Sequence, residues 1–272
     1  MAQKSETGRW HPAQLRMRWD PLFQVLRRVV IRAGSTIGGL GVFLVAGIII
    51  AVTGAILFGK LAETVMQGST QAFDESVLRW MARQHTPLAD AFMLEITALG
   101  TGIVVMTIVG IAALFLSLTR HKYSAVLLVV ATAGGLVLNS ALKLFFDRPR
   151  PQVFAWGTHA VTSSFPSGHA MSAAIVYSTV AYLAARLHKY AWARAITLFV
   201  AGIIIILICA SRMYLGVHYP SDVIAGATIG LAWAAFCMAT LEAIQRYSQR
   251  GAPEIQTDEM PAPEPPTRAA SI

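Results

Sequence analysis

Apolar residues fall in long, nearly uncharged blocks along this chain. The blocks lie near 36–59, 94–118, 123–142, 168–187, 193–211 and 221–243. Each is long enough for a bilayer crossing, which takes about 20 residues of helix. The pattern predicts an all-α, polytopic membrane protein with six transmembrane helices. Between the first two blocks, residues 70–84 (STQAFDESVLRWMAR) place Phe73, Val77, Trp80 and Met81 at helical spacing. That spacing predicts a helix, either interfacial on the outer side or a cap over the bundle. The segment 70–93 is also where lipid selectivity is expected.

Composition agrees with the pattern. Of 272 residues, 55% are hydrophobic and 13% charged, where a soluble domain is about a quarter charged. The formal net charge of +8 raises the question of nucleic acid, but its placement argues against that partner. Arg16, Arg18, Arg27, Arg28 and Arg32 precede the first block. Arg120 and Lys122 stand between the second and third, Arg186, Lys189 and Arg194 between the fourth and fifth, and Arg246 and Arg250 after the sixth. Alternating spans put all of these on one side, and basic flanks mark the cytoplasm. Both termini are therefore expected to be cytoplasmic, in a cell inner membrane. No cleavable secretion signal is evident, because the first apolar run starts late and is too long.

Three regions follow. Residues 1–35 form a basic segment, whose 13–32 stretch is either an interfacial helix or an unfolded topogenic flank. Residues 36–243 carry the six spans. Residues 244–272 make a tail whose Pro-rich, small polar composition predicts disorder. Cys209 and Cys237 fall within spans and read as buried thiols, not as a disulfide or a metal pair.

Ionisable groups at span ends need a reason, because the membrane penalises charge. Three clusters do: KLFFDRPRP at 143–151, SFPSGH at 164–169 and SRMYLGVHYPSD at 211–222. Alternation places all three at the outer face. Together they bring Lys143, Arg150 and Arg212, the imidazoles of His169 and His218, and the carboxylate of Asp222. Three cations at one apolar face repel one another, and an anion relieves that. Guanidinium forks match phosphate oxygens. Ser167 is a candidate N-cap, and Gly168 permits close backbone approach. Free N–H groups at that helix start suit phosphate.

The two histidines fit different roles. His218 stands four residues before Asp222, with Pro220 at the start of the last span. The carboxylate can hold one ring nitrogen and leave the other as nucleophile. His169, held protonated beside a bound phosphate, suits a general acid. A lone histidine is ordinarily just a satisfied polar group. His11, His85, His121, His159 and His188 lack such neighbours and are read that way.

These clusters resemble the signature of the type 2 phosphatidic acid phosphatases, a branch of the acid phosphatase and vanadium haloperoxidase superfamily. The first part is Lys, six residues, Arg-Pro, here Lys143, Arg150 and Pro151. The second is Pro166 to His169. The third joins Ser211 and Arg212 to His218 and Asp222. All three are complete. The resemblance implies a PAP2-type bundle acting as a lipid phosphatase through a phosphohistidine on His218. Asp222 would support His218, and His169 would protonate the leaving group and then activate water. Lys143, Arg150, Ser167, Gly168 and Arg212 would bind the phosphate, with no metal and no cofactor. A membrane lipid phosphate or diphosphate is the expected partner. Undecaprenyl diphosphate leads, ahead of phosphatidylglycerol phosphate, phosphatidic acid and lipid A phosphates. A vanadate-dependent haloperoxidase and a non-catalytic anion-binding membrane protein are the alternative classes.

Overall fold

A computed structural model describes the backbone of residues 40–158 and 162–250. Those residues form α1 (Leu40–Met66), α2 (Gln71–Ala82), α3 (Pro87–Ala98), α4 (Gly102–Leu118), α5 (Lys122–Phe145), α6 (Gly168–Ala185), α7 (Ala191–Tyr214) and α8 (Pro220–Arg250). No strand occurs among the described residues. The expected segments 1–35 and 251–272, with His11, and also His159, lie outside them. The last helix runs on to Arg250, past the span end expected at 243.

Four of the helices are long and apolar enough to cross a membrane: α1 from Leu44, then α5, α7, and α8 to Gln245. The pair α3 and α4 makes a fifth crossing if it is one span. The sequence leads one to expect an unbroken helix over 94–118. Instead the chain bends by 48° at a break between Ala98 and Gly102. Pro87 starts α3 at the first helical turn, where its missing N–H costs nothing, and Thr86 caps it by accepting from the Ala89 N–H at 3.2 Å. The break places Gly100 against its neighbours. A Cβ there would lie 2.8 Å from Ile208 Cγ2 and 3.0 Å from His169 Cδ2.

The fourth expected span, α6, has 18 residues and does not reach the same apolarity. The reason lies in its surroundings. It packs against α4, α5, α7 and α8, so its side chains meet protein rather than lipid. Ala170, Met171, Ala173 and Ala174 are wholly buried. Small residues let neighbouring backbones approach closely, the usual way membrane helices associate. The outward faces of α1, α4, α5 and α7 carry exposed Ile49, Ile111, Val137 and Phe199, as a lipid-facing surface requires. Cys237 is buried and Cys209 half-buried, and both are free thiols.

The helix α2 caps the bundle beside α7 and α8. Its inward face differs from the expected apolar one. Asp74 and Leu78 are fully buried, whereas Phe73 and Trp80 are each 58% exposed and face away.

Candidate active site

The three polar clusters meet at one end of the bundle. The C-terminal end of α5 carries Lys143, and the loop after it carries Arg148 and Arg150. The start of α6 carries His169, the last turn of α7 Arg212, and the loop between α7 and α8 His218. The charges of Lys143, Arg150 and Arg212 and both imidazoles lie within electrostatic reach of one another.

His218 is 2% exposed. Its Nε2 stands 3.3 Å from Arg150 Nη1, and its Nδ1 stands 3.7 Å from Asp222 Oδ2. The second distance is an ion-pair separation, longer than a hydrogen bond, and Nδ1 has no hydrogen-bond partner. A guanidinium only donates, so Nε2 is the accepting nitrogen and the proton belongs on Nδ1, facing the carboxylate. That tautomer leaves the Nε2 lone pair on the side of Arg150. Burial pushes the His218 imidazole down to about 4, partly offset by Asp222. The free protein therefore holds it neutral, as a nucleophile requires.

Asp222 is fully buried at the first turn of α8. Its Oδ2 accepts from the Tyr219 N–H at 2.9 Å and from the Ser164 hydroxyl, and its Oδ1 accepts from Arg148. The Asp222 carbonyl also accepts from the Ser167 N–H at 3.0 Å, which ties the start of α6 to the start of α8. Gly226 makes that contact possible, since a Cβ there would lie 2.5 Å from the Ser167 carbonyl oxygen.

Arg150 donates from Nε to the Thr162 carbonyl at 2.7 Å and from Nη1 to the Val217 carbonyl at 2.7 Å. Lys143 Nζ donates to Thr162 Oγ1 at 2.8 Å and to the Ser163 carbonyl at 3.1 Å. Arg212 is 4% exposed and donates to Thr97 Oγ1 at 2.7 Å, while its Nε has no partner. These cations lean on neutral oxygens, so their charge stays available to an anion. A cavity of about 520 Å³, lined in part by Glu75, Arg79, Arg150 and Tyr219, opens beside Arg150.

Two expected roles take a different form. Ser167 sits at the N-cap in extended conformation, but its side chain does not cap the helix, and its buried Oγ lacks a partner. Gly168 does give close approach, here to a side chain. A Cβ there would lie 3.2 Å from the Asn139 amide nitrogen.

Sequence reading missed Arg148, Asp74, Ser164 and Ser221. Arg148 is 8% exposed, donates to Asp74, Ser221 and Asp222, and lies 4.2 Å over the Tyr219 ring. The one local signal was Asp74 itself, an acid next to the apolar Phe73 on α2. No group of three or more His, Cys, Asp or Glu side chains that could hold a metal occurs among the described residues.

The family model for the PAP2 superfamily matches residues 124–246. Phosphatidylglycerophosphatase B of Bacillus subtilis is 31% identical over 196 residues, 72% of this chain and 96% of its own length. An undecaprenyl-diphosphatase of Sulfolobus acidocaldarius is 31% identical over 140 residues, 49% of this chain and 63% of its own. The crystal structure of a transmembrane PAP2-type phosphatidylglycerolphosphate phosphatase from Bacillus subtilis superposes with a TM-score of 0.69. It has 29% identity and covers 72% of this chain and 98% of that one. With its lipid-facing helices and its site at one end of the bundle, this chain belongs to the PAP2 superfamily and is a multi-pass membrane lipid phosphatase.

Proposed function

We propose that the protein removes the terminal phosphoryl group of a lipid headgroup through a phosphohistidine on His218. The observation that carries this reading is His218 itself: buried, its Nε2 beside Arg150 and its Nδ1 facing Asp222. The Nε2 lone pair forms the N–P bond as the bond from phosphorus to the lipid oxygen breaks. His169, which takes up a second proton once the phosphate anion is bound among the cations, gives that proton to the oxygen. Water then attacks phosphorus, His169 takes the water's proton, and the N–P bond breaks to release phosphate. Lys143, Arg150 and Arg212 hold the phosphoryl oxygens, and their charge opposes the negative charge that builds in the transition state. Ser167 and Gly168 supply the backbone wall.

The basic residues Arg120 and Lys122 stand at the end of the bundle opposite Lys143, since α5 runs from one to the other. Positive flanks mark the cytoplasm, so the site faces the periplasm or exterior of the inner membrane, with both termini inside. In this reading α6 is the fourth crossing, sheathed by its neighbours.

Phosphatidylglycerol phosphate is the preferred substrate. The sequence alone put undecaprenyl diphosphate first. Similarity across 96% of phosphatidylglycerophosphatase B, against 63% of the Sulfolobus undecaprenyl-diphosphatase, supports the opposite order. Undecaprenyl diphosphate remains the second reading, supported by that shorter match. The test is phosphate release from both lipids, phosphatidic acid and a lipid A phosphate, using purified protein in liposomes with chelator. Phosphatidylglycerol phosphate is expected to turn over fastest. No release from any of the four, or release abolished by chelator, would sink the proposal.

A further inference from the structure

Asp74 lies outside all three polar clusters, on the capping helix α2, yet it is fully buried. Its Oδ1 accepts from the Ser221 N–H at 3.0 Å. Its Oδ2 accepts from the Ser221 hydroxyl and from Arg148 Nη2 at 3.0 Å. The same guanidinium reaches Asp222 through Nη1 and the Ser221 hydroxyl at 2.9 Å. Two buried carboxylates thus share one guanidinium. A buried carboxylate is expensive unless its charge is compensated, so a second one needs a reason.

The reason is in the charge balance. With Asp222 alone, Arg148 would neutralise the very carboxylate that faces His218. Phosphorylation of Nε2 leaves a proton on Nδ1 and makes the ring cationic. That charge needs an uncompensated negative group beside it, in surroundings where water cannot help. Asp74 supplies the balance. The trio carries one net negative charge, and of its members Asp222 is the one that faces Nδ1.

We propose that Asp74 is a positioning residue for the phosphatase reaction: it occupies Arg148, so that Asp222 keeps its charge for the phosphorylated His218 ring. The cap α2 is then part of the catalytic apparatus and not only a cover. The groups that set the field at His218 are Asp222, Arg150 from the loop after α5 and Arg212 from α7; Arg148 and Asp74 act on it through their contacts with Asp222 and with each other. Asp74 is the one supplied by α2.

The inference rests on His218 as the phosphoryl acceptor, and the experiment separates the two. Purified Asp74→Asn is compared with wild type, His218→Ala and the double variant Asp74→Asn/Arg148→Gln on the fastest lipid of the panel. Asp74→Asn is expected to lower kcat about 10- to 100-fold with KM within about threefold, because the lost interaction strengthens only as the ring becomes charged. Removing Arg148 as well returns the net charge at Asp222, so the double variant is expected to recover kcat several-fold over Asp74→Asn. A purely structural role predicts the opposite, since the double variant loses more contacts. Wild-type kcat in Asp74→Asn, or no recovery in the folded double variant, overturns the inference. Failure of both variants to fold shows Asp74 to be structural and overturns it too. Phosphate release by His218→Ala would instead sink the underlying reading.

Discussion

Arg148 and Arg150 are two residues apart and meet opposite fates. Arg148 is buried, spends its fork on Asp74 and Asp222, and lies over the Tyr219 ring. Arg150 is half-buried, and its donors go to the Thr162, Val217 and Ser163 carbonyls, the Thr162 hydroxyl and the His218 ring. No carboxylate pairs with it among the described residues. One guanidinium has its charge consumed by the fold, and the other keeps it. In a site built for an anion, the partners of a cation say more about its role than its place in a motif does.

The largest expected effects test this contrast directly. Arg150→Ala should lower kcat/KM about 10²- to 10³-fold with the thermal midpoint nearly unchanged, as for removal of an oxyanion-stabilising donor. Arg150→Lys should recover little, because an ammonium cannot reproduce the fork. Arg148→Ala should act first on stability. Two buried carboxylates left without their partner correspond to a loss of about 3–5 kcal/mol. Thermal unfolding in detergent alongside phosphate release distinguishes the two. A stable, inactive Arg148→Ala beside an unfolded Arg150→Ala would break the comparison.

Arg212 sharpens it. It is even more buried than Arg148, yet it donates to a hydroxyl, Thr97 Oγ1, and to no carboxylate among the described residues. By partner it belongs with Arg150, and by burial with Arg148. Arg212→Ala should raise KM and lower kcat together, by about 10²-fold in kcat/KM, with a smaller loss of stability than Arg148→Ala. Unchanged kinetics would remove Arg212 from the phosphate-binding group.

The sequence made most of the helices legible because lipid-facing surface must be apolar, and long apolar runs are visible locally. It did not show the bend at residues 99–101, since the run from Ile96 to Leu118 crosses it without a charge, and the glycines at 100 and 102 were not weighed against that run. Nor did it show why α6 is less apolar than a lipid-facing span, because a helix surrounded by protein is free of that requirement. In the site, His169, His218, Lys143, Arg150 and Arg212 were legible from spacing and from the cost of charge at span ends. The Asp74–Arg148–Asp222 chain was not. Each carboxylate lies 74 residues from Arg148 along the chain, and local periodicity carries no trace of such a pairing. On α2 it even misleads, since Phe73 and Trp80 face outward and the acid faces in.

A smaller effect concerns the frame that holds the comparison in place. Gly226→Ala would set a methyl carbon against the Ser167 carbonyl, which is backbone and cannot rotate aside. The start of α6 must then move away from α8, carrying His169 with it. Overpacking of this kind costs about 1–3 kcal/mol. Activity should fall about tenfold or more, since a displacement of an ångström at a reacting centre is already costly. Equal loss of activity and of folded protein would reduce Gly226 to a packing position.

The smallest expected effect is an absence of change. Burial holds the His218 imidazole near 4, whereas in the unfolded chain it titrates at about 6.5. Well above pH 6.5 neither state takes up this proton, so His218 contributes nothing to the pH dependence of stability there. Below 6.5 the unfolded chain binds the proton and the folded protein does not, so acidification favours unfolding until about 4. A histidine-selective ¹⁵N spectrum, assigned with His218→Ala, should show a neutral ring protonated on Nδ1 at pH 6. An imidazolium at that pH would mean that Asp222 outweighs burial. The Nε2 lone pair facing Arg150 would then be occupied by a proton, and the contrast between a spent guanidinium and an available one would lose the nucleophile it was built around.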